Sequence, residues 1–68
     1  MSVSGAEGVR ALLRAGFAQV GQRGSHVKLR HADGRIVIVP LHRELRRGTL
    51  QSILRQAKMT LEQLRAHL

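Results

Sequence analysis

Gln22-Arg23-Gly24-Ser25-His26-Val27-Lys28-Leu29-Arg30 reads as a turn running into a β-strand. Gly24 is the turn signal, and the residues after it alternate in character. Alternate side chains of a strand point to opposite faces. His26, Lys28 and Arg30 therefore share one face, and Val27 and Leu29 share the other. One face carries a proton-transfer group and two cations, and the opposite face can pack into a core. A histidine at the junction of a glycine turn and a rigid ladder is well placed to meet an incoming phosphodiester.

Downstream of this strand, Ala32-Asp33-Gly34 predicts a hairpin turn, because Asp-Gly supplies the positive φ of a tight connection. Arg35-Ile36-Val37-Ile38-Val39 is strongly β-branched and predicts a further strand, ended by Pro40. It is apolar on both faces. With Val37 and Val39 facing the core, Ile36 and Ile38 fall on the face of His26. Either a helix covers that face too, or the two isoleucines form an apolar strip awaiting a partner. Upstream, Phe17 to Gln22 reads as the first strand of an antiparallel meander.

The flanks read as helices. Ser4-Gly5-Ala6-Glu7 fits a capping box, and Val9, Leu12 and Leu13 continue at helical spacing, predicting a helix over roughly 5–15 with Gly16 at its C-terminal cap. Gly5 and Gly8 weaken its first turn. After the basic loop that carries His42, Arg43, Arg46 and Arg47, Thr49 is the expected N-cap of a second helix. Its apolar stripe is Leu50, Ile53, Leu54 and Ala57. Thr60-Leu61-Glu62-Gln63 is another capping box and opens a short final helix with Leu61, Leu64 and Leu68. The order is α-β-β-β-α plus a short extra C-terminal helix: an α+β domain whose three-stranded antiparallel sheet has its helices packed on one face.

The chain has 68 residues, which predicts one domain. Twelve Lys and Arg against four Asp and Glu give a net charge of +8, which favours polyanionic partners: nucleic acid, an acidic protein or, least of these, an anionic membrane. No apolar stretch approaches the ~20 residues of a membrane span, and the start of the chain has no basic-then-apolar signal pattern. A cytoplasmic location is the expectation, and the lack of cysteine gives no argument for an oxidising compartment. Phe17 is the only aromatic residue, which argues against RNA readers that stack bases on aromatic rings.

The dispersed carboxylates Glu7, Asp33, Glu44 and Glu62 do not group into an acid–base pair or a two-metal site. No histidine spacing suits zinc. Neither metal nor cofactor is therefore expected. A reaction that needs only imidazole and positive charge is RNA transesterification. The 2′-hydroxyl attacks phosphorus, histidine moves protons near neutral pH, and Lys28 can stabilise the phosphorane charge. His42 is another histidine that the meander can bring close to His26. On spacing alone the same face also fits a solvated polar surface.

Gly24-Ser25-His26, Asp33-Gly34-Arg35, Val39-Pro40-Leu41-His42, Gly48-Thr49-Leu50 and Ile53-Leu54-Arg55-Gln56-Ala57 together resemble the HicA (YcfA-like) toxins, mRNA interferases of type II toxin–antitoxin systems. The resemblance runs over about residues 4–68 and makes 1–68 a single HicA-like domain. Arg46-Arg47 before Gly48 and Met59-Thr60 depart from the family pattern, in a loop and at a helix junction. The resemblance implies a double-stranded-RNA-binding-domain-like (dsRBD-like) fold, with His26 as the catalytic histidine of an endoribonuclease that cleaves single-stranded mRNA in the bacterial cytoplasm and inhibits translation. Arg23, Gly24, Ser25, Lys28 and Arg30 are the expected RNA-binding residues. It also implies a HicB-type antitoxin covering the active face; the doubly apolar third strand makes Ile36 and Ile38 its expected contacts, and a monomer is expected when the protein is free of antitoxin. The rival readings are a non-catalytic RNA-binding module on the same fold and a structural interaction protein.

Overall fold

A computed structural model of the chain describes residues 2–68. Helix α1 spans Gly5–Arg14, strands β1, β2 and β3 span Ala18–Arg23, His26–Arg30 and Ile36–Pro40, and helices α2 and α3 span Arg47–Ala57 and Leu61–Arg65. The strands form an antiparallel sheet in the order β1-β2-β3. The meander predicted from sequence is present: β1 and β3 each start and end one residue later than expected, and β2 is a residue shorter at each end than the expected 25–31.

Local chemistry explains most boundaries. Ser4 Oγ accepts from Glu7 N, and the Glu7 carboxylate accepts from Ser4 N at 2.9 Å, completing the capping box of α1. Those bonds hold the Glu7 pKa below its ordinary value. Gly16, at φ +101°, turns the chain out of α1. Gly24 and Ser25 form a two-residue turn closed by the pair Arg23 and His26. Positive φ at Gly24 (+57°) and not at Ser25 is the signature of a type II′ hairpin turn. Gly34, at φ +99°, serves the second hairpin.

That second hairpin is tied down from several sides. Arg35 Nε donates to both Asp33 carboxylate oxygens, at 3.0 and 2.8 Å, and Arg35 Nη1 donates to the Ala57 carbonyl at the end of α2. The same guanidinium lies 5.0 Å from the Phe17 ring centroid. The bonds from Arg35 hold the Asp33 carboxyl at a pKa of about 2.

The start of α2 differs from the expectation. Its N-cap is Arg46, with no side-chain cap bond, and the first helical bond runs from Leu50 N to Arg46 O at 2.8 Å. Thr49 lies inside the first turn. The anchor is tertiary: Leu45 is buried, its N–H donates to Val3 O at 2.7 Å, and Leu50 packs against the core. Leu45 and Leu50 take the positions of a hydrophobic staple, which here outweighs the capping preference of threonine. The Thr60–Gln63 capping box of α3 is formed as read.

Val27 and Leu29 of β2 and Val37 and Val39 of β3 are buried with Val9, Ala11, Leu12, Phe17, Ile53, Ala57 and Leu64 on one side of the sheet. Helix α1 lies against all three strands, α2 against β3 and α3 against α1. Gly5 brings the start of α1 onto the end of β3; its N–H donates to His42 O at 2.8 Å, and a Cβ there would overlap the Pro40 carbonyl. Among the described residues the other side of the sheet carries no helix, and Ile36 and Ile38 stand exposed on it.

The two sheet edges are unlike. Bonds from Leu41 N to Ser25 O and from His31 N to Arg35 O set a ladder in which Ile36, Ile38 and Pro40 direct their backbone groups outward from β3. Gln56 of α2 accepts from Ile38 N at 2.9 Å, and Pro40 has no N–H. β1 is exposed along all six residues and is kinked by a bulge at Val20.

Candidate functional site

The open sheet face is built by register. Arg23 pairs with His26, Gly21 with Lys28 and Ala18 with Arg30 across β1 and β2. Lys28 pairs with Ile38 and Arg30 with Ile36 across β2 and β3. Paired residues of an antiparallel sheet point to the same side, with Cα atoms about 4.5–5.5 Å apart. The face is thus a small grid, whose first row is Arg23 and His26, the second Gly21, Lys28 and Ile38, and the third Ala18, Arg30 and Ile36. Successive rows are ~7 Å apart.

A cleft of about 400 Å³ opens over the first two rows, lined by Gly21, Gln22, Arg23, His26, Lys28 and Ile38. It brings together three of the sequence-predicted RNA-site residues, Arg23, His26 and Lys28, with Ile38. Arg30 and Ile36 lie one row further, outside the lining. Gly24 and Ser25 form the turn above it, where the Ser25 carbonyl accepts from Leu41 N at 2.7 Å. His42 does not line the cleft.

Among the described residues the His26 side chain has no hydrogen-bond partner, and it is exposed. The ion pairs of the described residues lie at Asp33, with Arg35 and His31, so Arg23, Lys28 and Arg30 have no acidic partner. Glu7 caps α1, Asp33 sits in the second hairpin, Glu44 lies in the loop before α2 and Glu62 opens α3. The open face therefore holds one free imidazole among uncompensated cations. Such a surface attracts a polyanion, and charge on the ligand supplies what the protein lacks. No group of three or more His, Cys, Asp or Glu converges among the described residues, so no side-chain set there resembles a metal site.

A second hollow of about 310 Å³ lies further along the sheet, over Gly16, Ala18, Val20, Arg30, His31 and Ala32. Its histidine is engaged: His31 Nδ1 is 3.1 Å from Asp33 Oδ2, and the ring stands edge-on to Phe17 at 5.1 Å. Of the two hollows, the one with a histidine free of partners among the described residues is the His26 cleft. Gly21 and Gln22 are the cleft residues not among those expected from sequence. A glycine inside a strand pattern is the available signal, since it marks a bulge or a close approach.

Among the described residues no helix is long and apolar enough to cross a membrane. No curated protein matches the chain. The family model described as HicA toxin of bacterial toxin-antitoxin matches residues 5–59, from the first residue of α1 to just past α2. The chain belongs to the HicA toxin family, the toxin side of bacterial toxin–antitoxin systems.

Proposed function

We propose that this toxin is an endoribonuclease that cuts single-stranded mRNA by transesterification and thereby stops translation, with His26 as its proton-transfer group. The observation that carries the reading is the free, exposed imidazole in a cleft walled by the unpaired cations Arg23 and Lys28. His26 takes the 2′-hydroxyl proton as that oxygen attacks phosphorus. The P–O5′ bond breaks, and the same imidazolium returns a proton to the leaving 5′-oxygen. The products are a 2′,3′-cyclic phosphate and a 5′-hydroxyl. Arg23 and Lys28 bind the phosphate and stabilise the charge that builds on it. Arg30 holds the strand one row on, and the Gly24-Ser25 turn fixes the approach of His26. No step requires a metal or cofactor.

The antitoxin partner, of HicB type in this reading, covers the same face. Ile36 and Ile38 give it an apolar strip between cations, and covering Ile38 also closes the cleft. The decisive experiment is cleavage of a long unstructured mRNA in EDTA by the wild type and His26→Ala. The expected result is a loss of ~10²–10⁴-fold in rate for the variant, with cyclic phosphate ends on the wild-type products. Equal cutting by both proteins would falsify the assignment of His26. RNA binding by both with cutting by neither would make the protein a binding module.

A further inference from the structure

Gly21 is the only glycine within a strand among the described residues, and nothing in the protein requires it. Its φ lies outside the left-handed region, unlike those of Gly16, Gly24 and Gly34. A Cβ built on it meets no atom within 4 Å, unlike one on Gly5. Gly21 borders the bulge, whose register shift lies between Gln19 and Gly21, but it lacks the left-handed φ for which a bulge reserves glycine. A strand favours almost any β-branched residue over glycine at such a position. Glycine without a packing or backbone reason marks a place where a ligand approaches the main chain closely.

The neighbours say what that ligand is. Gly21 shares its row with Lys28 and Ile38, and Arg23 and His26 stand in the next row. The row thus offers a bare backbone floor, a cation in the middle and a half-exposed apolar wall. The cleft, about 400 Å³, falls in the size range of small-ligand sites. The aromatic residue Phe17 is buried in the core and cannot stack on a base. A planar base can instead lie on the main chain at Gly21 beside the Lys28 stem, with its phosphate toward Lys28 and Arg23 and Ile38 as the far wall.

We propose that the cleft is a subsite for one nucleotide next to the scissile phosphate, and that the missing side chain at Gly21 sets the size of base it admits. This rests on RNA being the substrate of the His26 face. A side chain at position 21 narrows the floor, so the subsite then takes pyrimidines in preference to purines.

The test uses full-length wild type, Gly21→Ala, Gly21→Val and His26→Ala. Thermal unfolding checks the fold, and the Gly21 variants are expected to melt at or above the wild-type temperature. Cut sites on a long mRNA are mapped at nucleotide resolution. Gly21→Val is expected to cut about tenfold more slowly or worse, with remaining cuts shifted toward pyrimidines, and Gly21→Ala to fall between. Binding of a short non-cleavable RNA, 2′-deoxy at the cut position, is read separately by NMR and is expected to weaken by about tenfold in Gly21→Val. A folded Gly21→Val that binds this RNA and selects sites as the wild type does overturns the subsite. Unchanged cutting by His26→Ala instead overturns the catalytic reading and leaves the binding arm to judge the subsite by itself.

Discussion

Helix propensity alone predicts that Gly5→Ala and Gly8→Ala both stabilise the protein, each by about 1 kcal/mol or somewhat less. The structure separates them. A Cβ at Gly8 meets Leu45 Cδ1 at 3.5 Å and Val39 Cγ1 at 3.8 Å, which is ordinary van der Waals contact. Gly8→Ala therefore keeps its gain. With a shift of about 4–8 °C per kcal/mol in a domain of this size, its melting temperature should rise by several degrees. A Cβ at Gly5 overlaps the Pro40 carbonyl and crowds Leu41 Cα, both main-chain atoms with no rotamer to change. The start of α1 must then lift off β3, at an overpacking cost of about 1–3 kcal/mol. The bond from Gly5 N to His42 O is strained or lost as well, about 0.5–1.5 kcal/mol more. Gain minus cost leaves Gly5→Ala about 0.5–3.5 kcal/mol less stable, and its melting temperature lower by roughly 2–28 °C. Thermal and urea unfolding of both variants beside the wild type decides the matter. A rise for Gly5→Ala that equals the rise for Gly8→Ala would refute the close approach of α1 to β3.

Three other outcomes are expected. The Asp33 carboxylate is held at a pKa of about 2 against an ordinary 3.8, so its contribution to stability is complete above the ordinary value and lost as pH falls through the folded one. Acid unfolding of Asp33→Asn should accordingly be flatter than wild type between those two values, and identical profiles would remove the Arg35 bonds from the account. Lys28→Ala should weaken RNA binding and make the salt slope of log K shallower by about 0.7, the value of one phosphate on a single strand; an unchanged slope would mean that Lys28 touches no phosphate. Ile36→Asp with Ile38→Asp should abolish capture by the cognate antitoxin in a pull-down while the circular dichroism spectrum stays wild type, and retained capture would place the antitoxin elsewhere.

The facing of β2 was legible because Val27 and Leu29 alternate with polar neighbours; β3, apolar on both faces, takes its facing from its pairing with β2. The helices were legible from their capping boxes and apolar stripes. What escaped was set by contacts distant in sequence. Arg46 caps α2 because Leu45 is seated in the core beside Val3, which no local pattern around Thr49 reveals. Gly5 reads as a weak helix start until Pro40 is seen beneath it. The grouping of Arg23, His26 and Lys28 followed from strand alternation and a hairpin turn, so most of the cleft was foreseeable. Ile38 was read only as part of an interface strip and Gly21 was passed over, although the two hairpins set both beside Lys28; the bulge at Val20 moves only the pairs beyond it, Gln19 with Leu29 and Ala18 with Arg30. Periodicity cannot place a bulge.

The unequal sheet edges limit how copies of this protein can add to one another. β3 offers a newcomer few donors, since Gln56 takes the Ile38 N–H and Pro40 has none, whereas β1 offers six exposed residues. Growth of a sheet from chain to chain needs a head and a tail, one edge to receive and one to extend. With β1 the more receptive edge, pairing of two copies is favoured β1 to β1 about a twofold axis, which uses up both. Such an assembly terminates at two. A chain that carries a β-branched run as apolar as Ile36–Val39 is thereby kept from propagating as a fibril through its native sheet.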